Sequence, residues 1–175
     1  MNNSKQAKII WFTGLSGSGK TTLSKKLMKK LSSKKFKVKI IDGDIFRKKN
    51  KIKKNFTKKN IRENNLSIIR HVDKIKYNFD FILVAVISPL LSTRKIAKKI
   101  FKKKYYEIYV KCNLDILVHR DTKGLYNRAK KLKIKNLIGY KSKINYEKSY
   151  YKKIVVDTGK LTVNESIKKI FLRVM

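Results

Sequence analysis

The chain has 175 residues, enough for one domain with a real core, and 47 Lys plus Arg against 11 Asp plus Glu give it a formal net charge of +36. A single cysteine, Cys112, excludes an internal disulfide or a cysteine metal cluster and fits a reducing cytoplasm. The longest apolar run, Phe81 to Ile87, is far too short to span a bilayer, so no membrane role is expected.

The first predicted element is a buried strand, Ile9-Ile10-Trp11-Phe12. The stretch around it is too short for a signal-peptide core and is needed as this strand. Directly after it, Gly14-Leu15-Ser16-Gly17-Ser18-Gly19-Lys20-Thr21 fits G-x-x-x-x-G-K-[ST] at every fixed position. An amphipathic helix follows, with Leu23, Leu27, Met28 and Leu31 on one face. Strand, loop and helix together mark a phosphate-binding loop. Its glycines let successive N–H groups turn inward on phosphate oxygens, and the helix N-terminus adds positive potential there. Lys20 then serves the β- and γ-phosphates of ATP, and the Thr21 hydroxyl serves Mg²⁺.

Val38 to Ile41 reads as a second strand and ends at Asp42-Gly43-Asp44. Residues 48 to 55 read as a polar connection. Thr57 is the expected N-cap of a helix that carries Ile61, Ile68, Ile69, Val72 and Ile75 inward. The unbroken run Phe81 to Ile87 suits a parallel strand covered on both faces and breaks at Ser88-Pro89. Ser92 is the expected N-cap of a helix bearing Ile96, Ala97, Ile100 and Phe101. Tyr106 to Val110 is a strand, and Leu114 to Val118 a short helix. Residues 120 to 148 are polar and read as a mobile cover, with Arg120, Lys123 and Arg128 as cations over the phosphates. Ile154 to Val156 is a last strand. Thr162-x-x-Glu165 is a capping box opening a final helix, with Val163, Ile167, Ile170 and Phe171 inward.

Strands separated by helices imply a three-layer α/β architecture, a parallel sheet with helices on both faces, in one domain spanning residues 1–175. With the phosphate loop, this is the P-loop nucleoside-triphosphate hydrolase fold with a lid at about 120–148. Ligands in such sheets bind beyond the carboxyl ends of the strands, so the loop, Asp42-Gly43-Asp44 and Ser88-Pro89 should converge. Asp44 is the candidate for orienting the attacking hydroxyl or holding Mg²⁺ through water. Asp42 is read equally as a turn cap. Arg47, one turn on, would serve an anionic acceptor. No Asn-Lys-x-Asp segment follows a later strand, which disfavours a regulatory GTPase, and a small kinase remains.

The charge has two readings. A polyanion partner would explain it, but the excess is mostly lysine among many Ile and Asn, as A/T-rich codons produce. The lysines are spread over every predicted helix, so no specific nucleic-acid partner is expected.

Several segments together resemble the adenylylsulfate kinase family. They are Gly14 to Thr22, Asp42-Gly43-Asp44-Ile45-Phe46-Arg47, Phe56-Thr57 with Glu63-Asn64, Ile87-Ser88-Pro89 with Arg94, and Arg120-Asp121-Thr122-Lys123-Gly124-Leu125-Tyr126. The resemblance runs through essentially the whole chain in order. It implies ATP and Mg²⁺ as cofactors and adenosine 5′-phosphosulfate as the small-molecule acceptor. It implies that Gly14, Leu15, Ser16, Gly17, Ser18, Gly19, Lys20, Thr21 and Thr22, with Arg120, bind the nucleotide. Thr21 and Asp44 would serve the metal, and Lys20 and Asp44 the transfer. Arg47, Asn64, Ile87, Ser88, Lys123 and Gly124 would surround the acceptor, with Phe56 stacking on its adenine. The family describes the Ser88 position as a phosphoserine. In-line transfer needs no relay, and a hydrogen bond to substrate is the preferred role. A homodimer stays open.

The departures all fall on the acceptor side. Asn60-Ile61 stands for Asp-Arg, so an acceptor-contacting arginine is missing. Leu137-Ile138-Gly139 stands for Phe-Thr-Gly, which makes the second adenine clamp at Leu137 aliphatic. Leu90 follows Pro89 where tyrosine is usual, and Asn145-Tyr146-Glu147 stands for Pro-Tyr-Glu at longer spacing. Three readings follow. The leading one is ATP-dependent 3′-phosphorylation of adenosine 5′-phosphosulfate in sulfate assimilation. The second is a related kinase acting on another nucleotide-like or sugar-linked hydroxyl. The third is a non-catalytic basic polyanion-binding protein.

Overall fold

The computed structural model describes residues 6–50, 57–140, 142–151 and 153–175. Five strands form one parallel sheet: β1 (Lys8–Thr13), β2 (Val38–Asp42), β3 (Phe81–Ala85), β4 (Tyr105–Lys111) and β5 (Ile154–Asp157), in the order β2-β3-β1-β4-β5. The helices are α1 (Lys20–Ser32), α2 (Gly43–Lys49), α3 (Lys58–Ile75), α4 (Leu91–Phe101), α5 (Leu114–Arg120), α6 (Leu125–Lys130) and α7 (Val163–Val174).

The central strand explains its own unbroken hydrophobicity. Side chains alternate along a strand, so β1 feeds two cores at once. Ile10 and Phe12 pack with Leu23, Leu27 and Leu31 of α1 and Ile167, Ile170 and Val174 of α7. Ile9 and Trp11 pack on the other face with Ile68, Ile69 and Val72 of α3 and Ala97 and Phe101 of α4. Each such side chain removed from water contributes about 1.5–3 kcal/mol. Helix layers on both faces leave the carboxyl edge of the sheet open to loops. There Phe12 pairs with Ala85 and Thr13 with Tyr109, which sets the exits of β1, β3 and β4 side by side.

Most caps follow the sequence. Thr57 Oγ1 accepts from Asn60 N, and Thr162 and Glu165 form the reciprocal capping box. The expected Ser92 cap is not found. Leu90 is the N-cap residue of α4, and Ser92 lies exposed within its first turn. The Glu147 carboxylate accepts from Leu91 N at 2.5 Å and so satisfies the helix start from 56 residues away. Ile100, expected inside, is 38% exposed because α4 buries Leu91, Arg94, Ala97 and Phe101 instead. Val163 opens α7 and is also exposed, since the buried face runs through Ile167, Ile170 and Val174. The first part of the expected 48–55 connection is the end of α2, whose residues Asp42 starts by capping, and residues 51–55 lie outside the described residues. The 120–148 segment is less polar inside than its composition implies. Tyr126, Ala129 and Leu137 bury with Leu117 in a small core of their own. Among the described residues no helix is long and apolar enough to cross a membrane.

Candidate active site

The loop between β1 and α1 turns so tightly that side chains are excluded from parts of it. Gly14 has φ 142°, and a Cβ there would stand 2.3 Å from the Val110 carbonyl oxygen. Gly17 and Gly19 also have positive φ. Ser16, Gly17, Gly19, Lys20, Thr21 and Thr22 line a crevice at the carboxyl edge of the sheet, and Gly14, Leu15 and Ser18 are not part of its lining. The opposite wall brings Asp42, Gly43, Asp44 and Arg47 from the β2–α2 junction, with Ala85, Val86 and Ile87 between. The lid supplies Thr122, Lys123, Leu125, Arg128 and Leu137. The phosphate loop and the Asp42–Asp44 segment thus converge as expected, whereas Ser88-Pro89 does not line the crevice and the residues just before it do.

Lys20 is buried, with Nζ donating to the Leu15 carbonyl at 2.6 Å. Burial pushes its ammonium down to about 7, Lys123 adds to that shift, and Asp44 and Asp42 oppose it. A desolvated ammonium at the crevice, beside the N-terminus of α1, suits an anion. Triphosphate oxygens would supply the missing negative charge and raise Lys20 again.

Two aspartates separated by one glycine do different work. Asp42 Oδ2 accepts from Thr21 Oγ1 at 2.7 Å, while its Oδ1 caps α2 through Asp44 N and Ile45 N. The turn-cap reading of Asp42 holds, and the same carboxylate also stands beside the loop threonine. Asp44 instead faces cations, bonded to Arg47 and, at 2.5 Å, to Lys123 Nζ from the lid. A Thr hydroxyl with a carboxylate at hydrogen-bond distance is an oxygen donor set of the kind Mg²⁺ takes.

The lid is tied to the loop. Tyr126 OH donates to the Ser16 carbonyl at 2.9 Å, and burial pushes that phenol up to about 12. Gly139, at φ 76°, lies so close to Leu15 that a Cβ would meet Cδ2 at 2.5 Å. Asp121 caps α6, accepting from Tyr126 N and Asn127 N. None of these three contacts follows from the sequence signals above, although Tyr126 and Asp121 sit inside the block from Arg120 to Tyr126 and an acid before a helix is a cap signal.

Other expected site residues lie elsewhere. Arg120 does not line the crevice. It donates to the Thr158 carbonyl at 2.8 Å, and Thr158 Oγ1 in turn donates to the Ser18 carbonyl at 3.0 Å, so Arg120 braces the far side of the loop. Ser88 is buried off the crevice. Its Oγ has no hydrogen-bond partner, and its carbonyl accepts from Thr13 Oγ1 and from Arg94. Asn64 is also buried, with Oδ1 unpartnered. Gly124 starts α6 at φ 62° without lining the crevice. Phe56 lies outside the described residues.

Three of the departures noted in sequence meet in space. Ile61, Leu90 and Ile138 bury together, with Leu15, Ile87 and Ile144 packed against them. Leu137 turns into the lid core and still borders the crevice.

Comparison with known proteins agrees with this geometry. The chain is 38% identical over 172 residues to the adenylyl-sulfate kinase of Oceanobacillus iheyensis, covering 97% of this chain and 84% of that one. It is 36% identical over 152 residues to a probable adenylyl-sulfate kinase of Archaeoglobus fulgidus, covering 87% and 96%. The APS kinase of Mycobacterium tuberculosis, solved in complex with AMPPNP and APS, superposes with a TM-score of 0.84 at 25% identity over 95% of this chain and 96% of that one. The family model described as adenylylsulphate kinase matches residues 6–157, which takes in the phosphate loop, both aspartates and the lid. With strand order, crevice and sequence in agreement, the chain belongs to the adenylylsulfate kinase family.

Proposed function

We propose that the protein transfers the γ-phosphoryl group of ATP to the 3′-hydroxyl of adenosine 5′-phosphosulfate, giving ADP and 3′-phosphoadenosine 5′-phosphosulfate. The observation that carries this is the placing of Asp44 across the same crevice from Lys20, inside a chain of this family. Lys20 and the inward N–H groups hold the β- and γ-phosphates, so charge that spreads over the transferred group meets fixed positive potential. Thr21 and Asp42 would hold Mg²⁺, which when bound neutralises phosphate charge. Asp44 orients the acceptor hydroxyl and takes its proton. Arg47 and Lys123, now paired with Asp44, would turn to the acceptor's anionic groups. The lid, through Tyr126 and Leu137, excludes water from the transferring phosphoryl. Arg120 would steady the nucleotide side of the loop, and Ile87 would border the acceptor. Ser88 takes no covalent part in this scheme: its hydroxyl is off the crevice, and its carbonyl is committed to Thr13 and Arg94.

A second reading rests on the Ile61–Leu90–Ile138 contact, which replaces an acceptor-side cation with a dry contact and suits a related hydroxyl acceptor. The deciding experiment is ADP release by the purified protein with ATP, Mg²⁺ and adenosine 5′-phosphosulfate, with the product identified by mass. A product carrying one added phosphate at the 3′ position, one per ADP, establishes the first reading. Nucleotide binding without turnover of this acceptor transfers the assignment to the second.

A further inference from the structure

Behind the acceptor wall lies a buried charge that phosphoryl transfer does not use. Arg94 of α4 and Glu107 of β4 both have side chains wholly removed from solvent, with Nε 3.4 Å from Oε2. The guanidinium reaches further than its partner. Nη1 donates to the Ser88 carbonyl, Nη2 donates to the Glu147 carbonyl, and Nε and Nη2 stand 3.4 and 3.3 Å from Ser149 Oγ. Tyr146 lies with its ring 4.8 Å from the guanidinium carbon. Glu107 is held in turn by Ser149 Oγ, by Tyr151 OH at 2.6 Å and by Tyr105 OH at 3.3 Å. Glu147 closes the circuit, accepting from Leu91 N and donating its own N–H to the Pro89 carbonyl at 3.0 Å.

A buried ion pair is a poor source of stability, because desolvation offsets most of its attraction and apolar side chains of the same size would hold a core as well. A planar fork offers geometry that an apolar side chain lacks. Here it joins three stretches of chain, two of them neighbours in sequence and the third 53 residues from Arg94. One is the loop at 87–89, where Ser88 is held at φ 43°, a left-handed conformation costly for a residue with a Cβ. Another is the start of α4. The third is the chain at 147–149, where the lid returns to the sheet.

We propose that Arg94, oriented by Glu107, is a positioning residue for the acceptor. It sets the Ile87–Ser88 backbone through the Ser88 carbonyl and fixes the root of the lid to that same loop. The inference rests on the kinase reading, since it takes Ile87 as the acceptor's wall. The phosphate loop meets this network at its root, where Gly14 N donates to the Ile87 carbonyl at 3.3 Å and Thr13 Oγ1 to the Ile87 and Ser88 carbonyls. The bonds of Lys20 and Thr21 go instead to Leu15, Ser18 and Asp42, so ATP binding should depend on the network far less than acceptor binding does.

The test is steady-state kinetics of Arg94→Lys against the unaltered protein, varying ATP and adenosine 5′-phosphosulfate separately. Turnover of this acceptor by the unaltered protein checks the kinase reading first and independently. Lysine keeps the charge and loses the fork. The expected result is a KM for the acceptor raised about tenfold or more, the loss of one charge-assisted hydrogen bond, with the KM for ATP within about twofold. A lower kcat with both KM values unchanged would mean only fewer folded molecules and would overturn the proposal. Should Arg94→Lys fail to fold, Ser149→Ala decides, because it keeps both charges and loosens the guanidinium. A rise of about threefold in the acceptor KM alone supports positioning, and an unchanged value refutes it.

Discussion

Lys123 of the lid reaches 79 residues back along the chain to Asp44, with Nζ 2.5 Å from Oδ2. Arg47 holds the other oxygen of the same carboxylate. Two cations therefore hold the Asp44 side chain at the crevice, one on each carboxylate oxygen. Both partners of the lid contact are nearly half exposed, so the pair adds little to stability and its meaning is geometric.

Asp44→Asn keeps the shape and removes the proton acceptor. The expected outcome is a kcat lower by about 10²–10⁴ with an unfolding midpoint close to that of the parent. ADP release and a thermal melt measure the two. A kcat within a few-fold of the parent would remove Asp44 from the transfer step.

Lys20 ties pH to stability. Its folded pKa lies at about 7, below the ordinary 10.5, mainly through burial. Between those values the unfolded chain binds a proton that the folded chain does not. The burial therefore weighs fully against the fold below about pH 7 and fades as pH rises toward 10.5. Lys20→Met removes that penalty. Without nucleotide the variant should melt higher than the parent at pH 7, with the gap narrowing toward pH 10, and its turnover should fall by at least about 10²-fold. A gap that widens with pH would contradict the assigned shift.

Two glycines should rank differently on substitution. Gly14→Ala drives a Cβ against the Val110 carbonyl, backbone held in the sheet, which cannot give. Gly139→Ala meets only the end of the Leu15 side chain, which can move. Chemical denaturation should show Gly14→Ala costing at least about 2 kcal/mol, and Gly139→Ala less. Nucleotide affinity should fall with the first.

Local signals in the sequence were sufficient for the frame. The five strands, the loop around Lys20, and the caps at Thr57 and Thr162 all follow from neighbours in sequence. What sequence could not supply was contact between distant segments. Glu147 caps α4 from across the chain, so Leu90 needs no polar side chain and the cap signal at Ser92 goes unused. Arg94 was visible only as part of a motif, since its partners lie on β4 and after the lid. Asp42 and Asp44 look alike in a string of residues. Only the path of the chain shows one beside Thr21 and the other under the lid. The departures at Ile61, Leu90 and Ile138 read as three separate losses and are one packed contact.

That contact yields a last prediction. Ile61 is 8% exposed and sits against Leu90 and Ile138. Ile61→Arg would place a guanidinium among aliphatic side chains. The ligand-free variant should lose about 2–4 kcal/mol of stability in a denaturant titration. An acceptor anion would give the new charge a partner, so adenosine 5′-phosphosulfate should raise the melting temperature of the variant more than that of the parent. If the acceptor raises both melts equally, the side chain at position 61 does not face the acceptor, and Ile61 contributes to this protein only as the apolar seat of Leu90 and Ile138.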